Sequence, residues 1–240
     1  MKRRIRRIVE ELTNESITKF IDSTDVKPDA TTEEIQKLCA DAQKYGFHSV
    51  CITPYRAKEA KSSLSQSADI AIICVVGFPN GSTTTEEKIN EARTAISNGA
   101  TEIDMVVNIG AIKDGNWDYV QKEISKIAET IKPVGLKVIL EIGYLSQEEL
   151  IRGCQITKEA GAAYVKTSTG FGPRVPTVED IKIMREAVGP DFGVKASGGI
   201  HDFAGAKAMI EAGATRIGTS HALEIIGVEK NKEEKGISSE

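Results

Sequence analysis

Three short segments place charged side chains where a strand would ordinarily be apolar: EIDMVV with Asp104, YVKTST with Lys166 and GVKASGG with Lys195. Successive side chains of a strand point to opposite faces. In the first segment Ile103, Met105 and Val107 form the apolar set, leaving Glu102, Asp104 and Val106 on the other face. In the second, Val165 and Thr167 oppose Tyr164, Lys166 and Ser168, and in the third Val194 and Ala196 oppose Lys195 and Ser197. If the apolar sets face covering helices, two lysines and an aspartate meet inside the sheet. Burying such charges without use costs several kcal/mol. One lysine with one aspartate could be an ion pair that merely holds the fold together. A second lysine changes the reading, because two adjacent ammonium groups repel and cannot both be satisfied by a single carboxylate, which lowers a lysine pKa. A depression of roughly three units from about 10.4 brings the neutral amine near pH 7.4 from about one part in a thousand to about half. Such an amine is a nucleophile toward carbonyls, and Asp104 could shuttle protons at the carbon and oxygen centres of the resulting Schiff base. The chemistry indicated is that of a carbonyl-processing lyase or isomerase.

These side chains need an element pattern that brings strands 4, 6 and 7 together. Short β-branched runs near 18–22, 48–53, 70–77, 102–107, 137–142, 164–168, 193–197 and 216–219 alternate with charged segments of helical periodicity, giving eight βα units. Gly46, Gly99, Gly161 and Gly213 each stand just before a strand, where a left-handed residue ends a helix. Helix starts are marked by Thr31-Thr32-Glu33-Glu34, Thr84-Thr85-Glu86-Glu87 and Ser146-Gln147-Glu148-Glu149, with hydroxyls at the cap and carboxylates in the first turn. The pattern predicts an α/β fold, a single (β/α)8 barrel, with an extra N-terminal helix from the spacing of Ile5, Ile8, Val9 and Leu12. A doubly wound open sheet competes, but it would use fewer units and no Gly-x-Gly-x-x-Gly turn follows the first strand. One domain over 1–228 and a charged, solvated tail over 229–240 are expected.

The carboxyl ends of barrel strands are where sites assemble. Ser197-Gly198-Gly199-Ile200 and Gly218-Thr219-Ser220 end strands 7 and 8, where glycines let backbone N–H groups approach a phosphate; the alternative is tight turns alone. Thr169 and Gly170, after strand 6, could close the same pocket. His48, His201 and His221 are scattered without metal-ligand spacing, so no metal site is expected and no catalytic role is assigned to them. The cysteines Cys39, Cys51, Cys74 and Cys154 are widely spaced and read as reduced packing residues of a cytoplasmic protein.

Across 240 residues, 31 basic against 35 acidic side chains leave a formal charge of −4, and 40% of residues are hydrophobic, which excludes bulk disorder. No basic excess attracts nucleic acid and no apolar run reaches the length of a bilayer span.

The same segments resemble those of the deoxyribose-phosphate aldolase family, over nearly the whole chain. The match runs from Ile21-Asp22-Ser23-Thr24 with Lys27-Pro28 and Ala30-Thr31 through YGFHSVCITP, VVGFPNG, EIDMVVNIG, KVILE and VKTSTGF to TVEDI, GVKASGGI and IGTS. The resemblance implies that Lys166 forms the Schiff base, that Lys195 depresses its pKa and that Asp104 relays protons. It further implies reversible cleavage of 2-deoxy-D-ribose 5-phosphate to acetaldehyde and glyceraldehyde 3-phosphate without metal or organic cofactor. The ligands expected are then a phosphorylated sugar and aldehydes, with no nucleic acid or membrane partner and a homo-oligomer left open. Alternatives are a Schiff-base aldolase for another aldehyde pair, or a non-catalytic sugar-phosphate-binding barrel. The sequence departs from the family pattern at Asp22-Ser23-Thr24, where many relatives read Asp-His-Thr. It departs again at Gly172-Pro173-Arg174-Val175-Pro176, where many are glycine-rich, and at His221, where a small hydroxyl residue is frequent. Arg174 is expected to bind the phosphate in place of backbone donors lost from that loop, the alternative being a pocket for another acid or for no phosphate.

Overall fold

The computed structural model describes residues 11–64 and 69–228. Most of the expected N-terminal helix and the charged tail lie outside the described residues. The strands are β1 Ile21–Asp25, β2 Ser49–Ile52, β3 Ala71–Val76, β4 Glu102–Val106, β5 Gly135–Ile139, β6 Tyr164–Lys166, β7 Gly193–Ser197 and β8 Arg216–Thr219. The helices between and after them are α1 Thr32–Tyr45, α2 Ala57–Ser63, α3 Thr85–Ser97, α4 Ile109–Lys113, α5 Trp117–Thr130, α6 Gln147–Glu159, α7 Val178–Val188, α8 Phe203–Ala212 and α9 Ala222–Ile225. Every strand pairs in parallel with the next, and β8 pairs with β1, closing the expected (β/α)8 barrel.

The caps follow from their residues. Thr31 and Ser146 accept from the backbone of Glu34 and Glu149, whose carboxylates return a bond to the cap in complete capping boxes, and Thr84 accepts from Glu87 N. A third box joins Thr177 and Asp180 at the start of α7. Gly46 closes α1 in the left-handed region at φ 69°, a conformation a Cβ would disfavour.

The main core lies between strands and helices and contains Ile103, Met105, Val107, Val138, Val165, Val194, Ala196 and Ile217. The barrel interior holds a separate small apolar cluster of Cys51, Ile73 and Val75, with Val26 and Phe78 packed on it. The outward and inward faces of β4, β6 and β7 are therefore those that alternation predicts.

Two strands are displaced from their expected positions. Residues Ser16–Phe20 form a 3-10 turn in which the Thr18 hydroxyl donates to Glu15 O at 2.8 Å, and β1 starts only at Ile21. Local hydroxyl bonds of this kind draw Ser and Thr away from sheet pairing. At β5 the strand begins and ends earlier than expected. Beyond it Glu141 takes a positive φ of 53°, and Ile142–Tyr144 form another 3-10 turn.

Candidate active site

The barrel register places the charges. Lys166 of β6 is the Cα partner of Lys195 of β7, which in turn partners Arg216 of β8, so three cations sit side by side. Asp104 of β4 is the partner of Lys137 of β5, and Asp22 of β1 is the partner of Gly218. Lys166 Nζ and Lys195 Nζ each donate to Asp104 Oδ2 at 2.8 Å. Lys195 Nζ also lies 2.6 Å from Asp22 Oδ2. The other Asp22 oxygen accepts from Ser49 Oγ at 2.6 Å and from Arg216 at 3.0 Å, and Arg216 reaches the Tyr164 hydroxyl at 3.3 Å. Lys137 Nζ lies 3.1 Å from Asp104 Oδ1 and donates to Glu102, whose carboxylate also faces His48 at 3.8 Å.

This network contains four cations (Lys137, Lys166, Lys195, Arg216) and three carboxylates (Asp22, Glu102, Asp104), an excess of one positive charge. Burial pushes the Lys195 ammonium down, but the carboxylates of Asp104 and Asp22 outweigh it and hold this lysine well above its ordinary value. Lys195 is thus a fixed cation. Burial raises the Asp104 carboxyl, while Lys137, Lys166 and Lys195 more than reverse this and keep it well below the carboxylate range. Lys137 is likewise held protonated: burial lowers it and Asp104 raises it further.

Of this cluster only Lys166 lines the pocket above it, a cavity of about 270 Å³ on the carboxyl face of the barrel. Cys51, Val75, Phe78 and Val26 give it an apolar wall, and Thr169, Gly170, Gly198, Gly199 and Ser220 give it a polar rim. The rim is tied together by hydroxyls. Thr167 Oγ1 donates to Ser197 O and accepts from Ser197 N, both at 2.9 Å, and Ser197 Oγ donates to Ser168 O at 2.6 Å. Glu141, buried and in its left-handed conformation, accepts from Thr169 N at 3.1 Å and from the Thr169 hydroxyl, fixing the loop after β6. Gly198 and Gly199 have φ of 98° and 69°, so the turn needs glycine.

Arg174 is not brought to this pocket. Its guanidinium forms a bidentate pair with Asp180, 2.7 and 3.0 Å, and donates to Val175 O and Ile142 O. Asp180 is the capping-box acid of α7, so the arginine braces a helix start instead of meeting the pocket. Cys51, read as packing, does pack, but against the pocket wall, and burial pushes its thiol up. His201 and His221, read as scattered, meet at the pocket mouth with Nδ1 atoms 3.1 Å apart.

Asp22, Lys137, Arg216 and the histidine pair are the residues that motif reading passed over. Alternation alone would have found two of them: Leu136 and Val138 are outward in GLKVI, so Lys137 is inward, and Ile217 is outward in RIGT, so Arg216 is inward. Asp22 ends the expected first strand and stands in the family match, but carried no assigned role.

A closed parallel barrel with a lysine–carboxylate floor beneath a small pocket defines an enzyme of the barrel aldolase class. The DeoC/LacD aldolase family profile matches residues 16–228, and the chain belongs to that family. A deoxyribose-phosphate aldolase of Thermococcus gammatolerans is 53% identical over 220 residues, covering 90% of this chain and 98% of the relative. One from Caldanaerobacter subterraneus is 55% identical over 214 residues, 88% and 92% of the two chains. Among solved structures, the tetrameric deoxyribose phosphate aldolase of Aeropyrum pernix superposes with a TM-score of 0.84 at 32% identity, covering 92% of this chain and 94% of that one.

Proposed function

We propose that this chain is a class I aldolase that reversibly cleaves 2-deoxy-D-ribose 5-phosphate to acetaldehyde and glyceraldehyde 3-phosphate, with Lys166 as the covalent residue. The observation that carries the assignment of Lys166 is its position: it alone of the buried cations in the network lines the pocket, and its ammonium pairs with the carboxylate of Asp104. Because the cluster has one cation in excess, Lys166 can release a proton and leave the remaining three cations matched to three carboxylates.

The neutral amine adds to the aldehyde carbon C1 of the open-chain sugar, and loss of water gives a protonated Schiff base. A base then takes the proton of the C3 hydroxyl, and the C2–C3 bonding pair moves into the iminium to form an enamine as glyceraldehyde 3-phosphate departs. Protonation of the enamine at C2 and addition of water to the iminium release acetaldehyde and restore Lys166. Asp104, 2.8 Å from Lys166 Nζ, is placed to accept and return these protons, and Lys195 supplies the fixed positive charge that disfavours a second ammonium beside it. Thr169, Gly170, Gly198, Gly199 and Ser220 form the rim that receives the phosphate, with backbone N–H groups as donors. The apolar wall of Cys51, Val75 and Phe78 keeps water from the two-carbon fragment.

A homo-oligomer, as in the tetrameric relative, is part of this reading. So is a cytoplasmic setting, in keeping with four free cysteines. Among the described residues no helix is long and apolar enough to cross a membrane.

Incubation with acetaldehyde and borohydride tests the reading directly. The expected product is an ethyl group on Lys166, located by peptide mapping. Labelling at Lys195 alone, or at neither lysine, overturns the assignment. Equal turnover of 2-deoxyribose and its 5-phosphate overturns the substrate assignment.

A further inference from the structure

The pocket mouth carries a feature for which the reaction above has no role. His201, after β7, and His221, after β8, are twenty residues apart in sequence, and their rings meet edge to face with centroids 4.3 Å apart. Both line the pocket beside Gly199 and Ser220. Their placement is built: the Thr219 hydroxyl donates to Ile200 O at 2.7 Å and accepts from His221 N at 2.9 Å, locking the two loops together. The Nδ1 atoms are 3.1 Å apart, and Ser220 Oγ lies 3.1 Å from His221 Nδ1.

Two Nδ1 atoms at this distance make a hydrogen bond only when one carries a proton and the other a lone pair. The pair can therefore take up one further proton, making the donor ring an imidazolium, and keep its contact. A second would break it. Imidazoles do this near neutral pH.

We propose that His201 and His221 are specificity-determining residues that together take up one proton and present a positive charge to the phosphate of the substrate. The inference rests on the reading of this pocket as the site of a phosphorylated deoxy-sugar. It accounts for a rim that otherwise offers glycine backbone and a serine hydroxyl, with the expected arginine turned away toward Asp180. The ionisable groups around the pair are the Asp25–Lys27 contact, 3.9 Å, and Lys166 among the pocket-lining residues, with Asp202 and Glu224 on the segments that carry the rings. Asp202 Oδ1 is engaged by Gly205 N at 2.7 Å. An anion that prefers the protonated pair must, by linkage, raise the pair's affinity for protons.

The chain has three histidines, so their Cε1–H signals can be followed individually by proton NMR, with His48, at the other end of the barrel network, as the internal control. Sulfate is the probe, because its charge does not change over the imidazole range. Titration from about pH 5.5 to 8.5 with and without sulfate should raise the midpoint of His201 and His221 by about half to one pH unit, equivalent to three- to tenfold tighter binding by the protonated pair. His48 should not move. The double substitution His201→Asn with His221→Asn should raise KM for the phosphorylated sugar more at pH 6 than at pH 8, and His201→Lys should restore affinity without pH dependence. An unmoved midpoint, an equal shift at His48, or a pH-independent effect of the double substitution overturns the proposal. Failure of acetaldehyde trapping at Lys166 would instead overturn the aldolase assignment, and the sulfate titration distinguishes the two.

Discussion

Lys166 and Lys195 are register partners across the β6–β7 ladder and donate to the same oxygen of Asp104. An ion pair that only stabilised the barrel would need one of them. Lys195 is also held by Asp22, whose Oδ2 lies 2.6 Å from its Nζ, and is the fixed cation of the two.

The charge on Lys195 can be removed with its packing largely kept. Lys195→Leu takes away the repelling cation and leaves Asp104 to Lys166 and Lys137, and both effects favour a proton on Lys166. The alkaline rise of the cleavage rate should move to higher pH by about one unit or more, with at least about a tenfold loss near neutrality. A pH–rate profile that keeps its position at near-normal rate would make Lys195 a structural residue.

Space for Lys195 is provided by the neighbouring strand. A Cβ on Gly218 would stand 2.9 Å from Lys195 Cε and 3.0 Å from Ser197 Cβ. Gly218→Ala should displace the buried ammonium and lower kcat by about ten- to a hundredfold, since small misplacements at a reacting centre have effects of that size. Circular dichroism should show the barrel intact, and normal turnover would refute the packing argument.

Arg174→Ala now carries a different expectation from the one its sequence position suggests. The side chain is partly exposed and pairs with the capping acid of α7, so its loss should cost about 0.5–1 kcal/mol of stability, read as a lower unfolding midpoint. Preference for the phosphorylated over the unphosphorylated sugar should not change. A selective loss on the phosphorylated substrate would place the guanidinium back in the pocket.

Acid should loosen the barrel through Asp22. Burial pushes this carboxyl up, but Lys195, Arg216 and Lys137 outweigh it and bring it from 3.8 down to about 2. A carboxyl whose folded value lies below its unfolded value stabilises the fold above the unfolded value and loses that contribution as pH falls through the folded one. About 2 kcal/mol should therefore disappear between about pH 5 and pH 1. Denaturant unfolding at several pH values should show this slope, and Asp22→Asn should remove its share of it.

Strand alternation made Asp104, Lys166 and Lys195 legible because each interrupts an otherwise apolar set. The role of Asp22 was not, because the polar run Asp22-Ser23-Thr24-Asp25 has no apolar set for a charge to interrupt. Its polarity is the signature of a strand whose inner face belongs to the site. Arg174 misled for a different reason: loops have no periodicity, and its partner lies only six residues on, in the next helix. The histidine pair could not be read along the chain, since only the adjacency of β7 and β8 brings His201 to His221.

Closure of the ring has one more consequence. The first and last strands meet along a short seam in which Asp22 is the partner of Gly218, and the same carboxylate clasps Arg216 and Lys195. The clasp of the fold and the electrostatic floor of the pocket are thus one set of atoms. Selection cannot retune the charge of that floor without also loosening the joint between the first and last strands, whereas the rim, carried on separate loops, is free to diversify. Variation among descendants of this sequence should accumulate at the mouth and spare the seam.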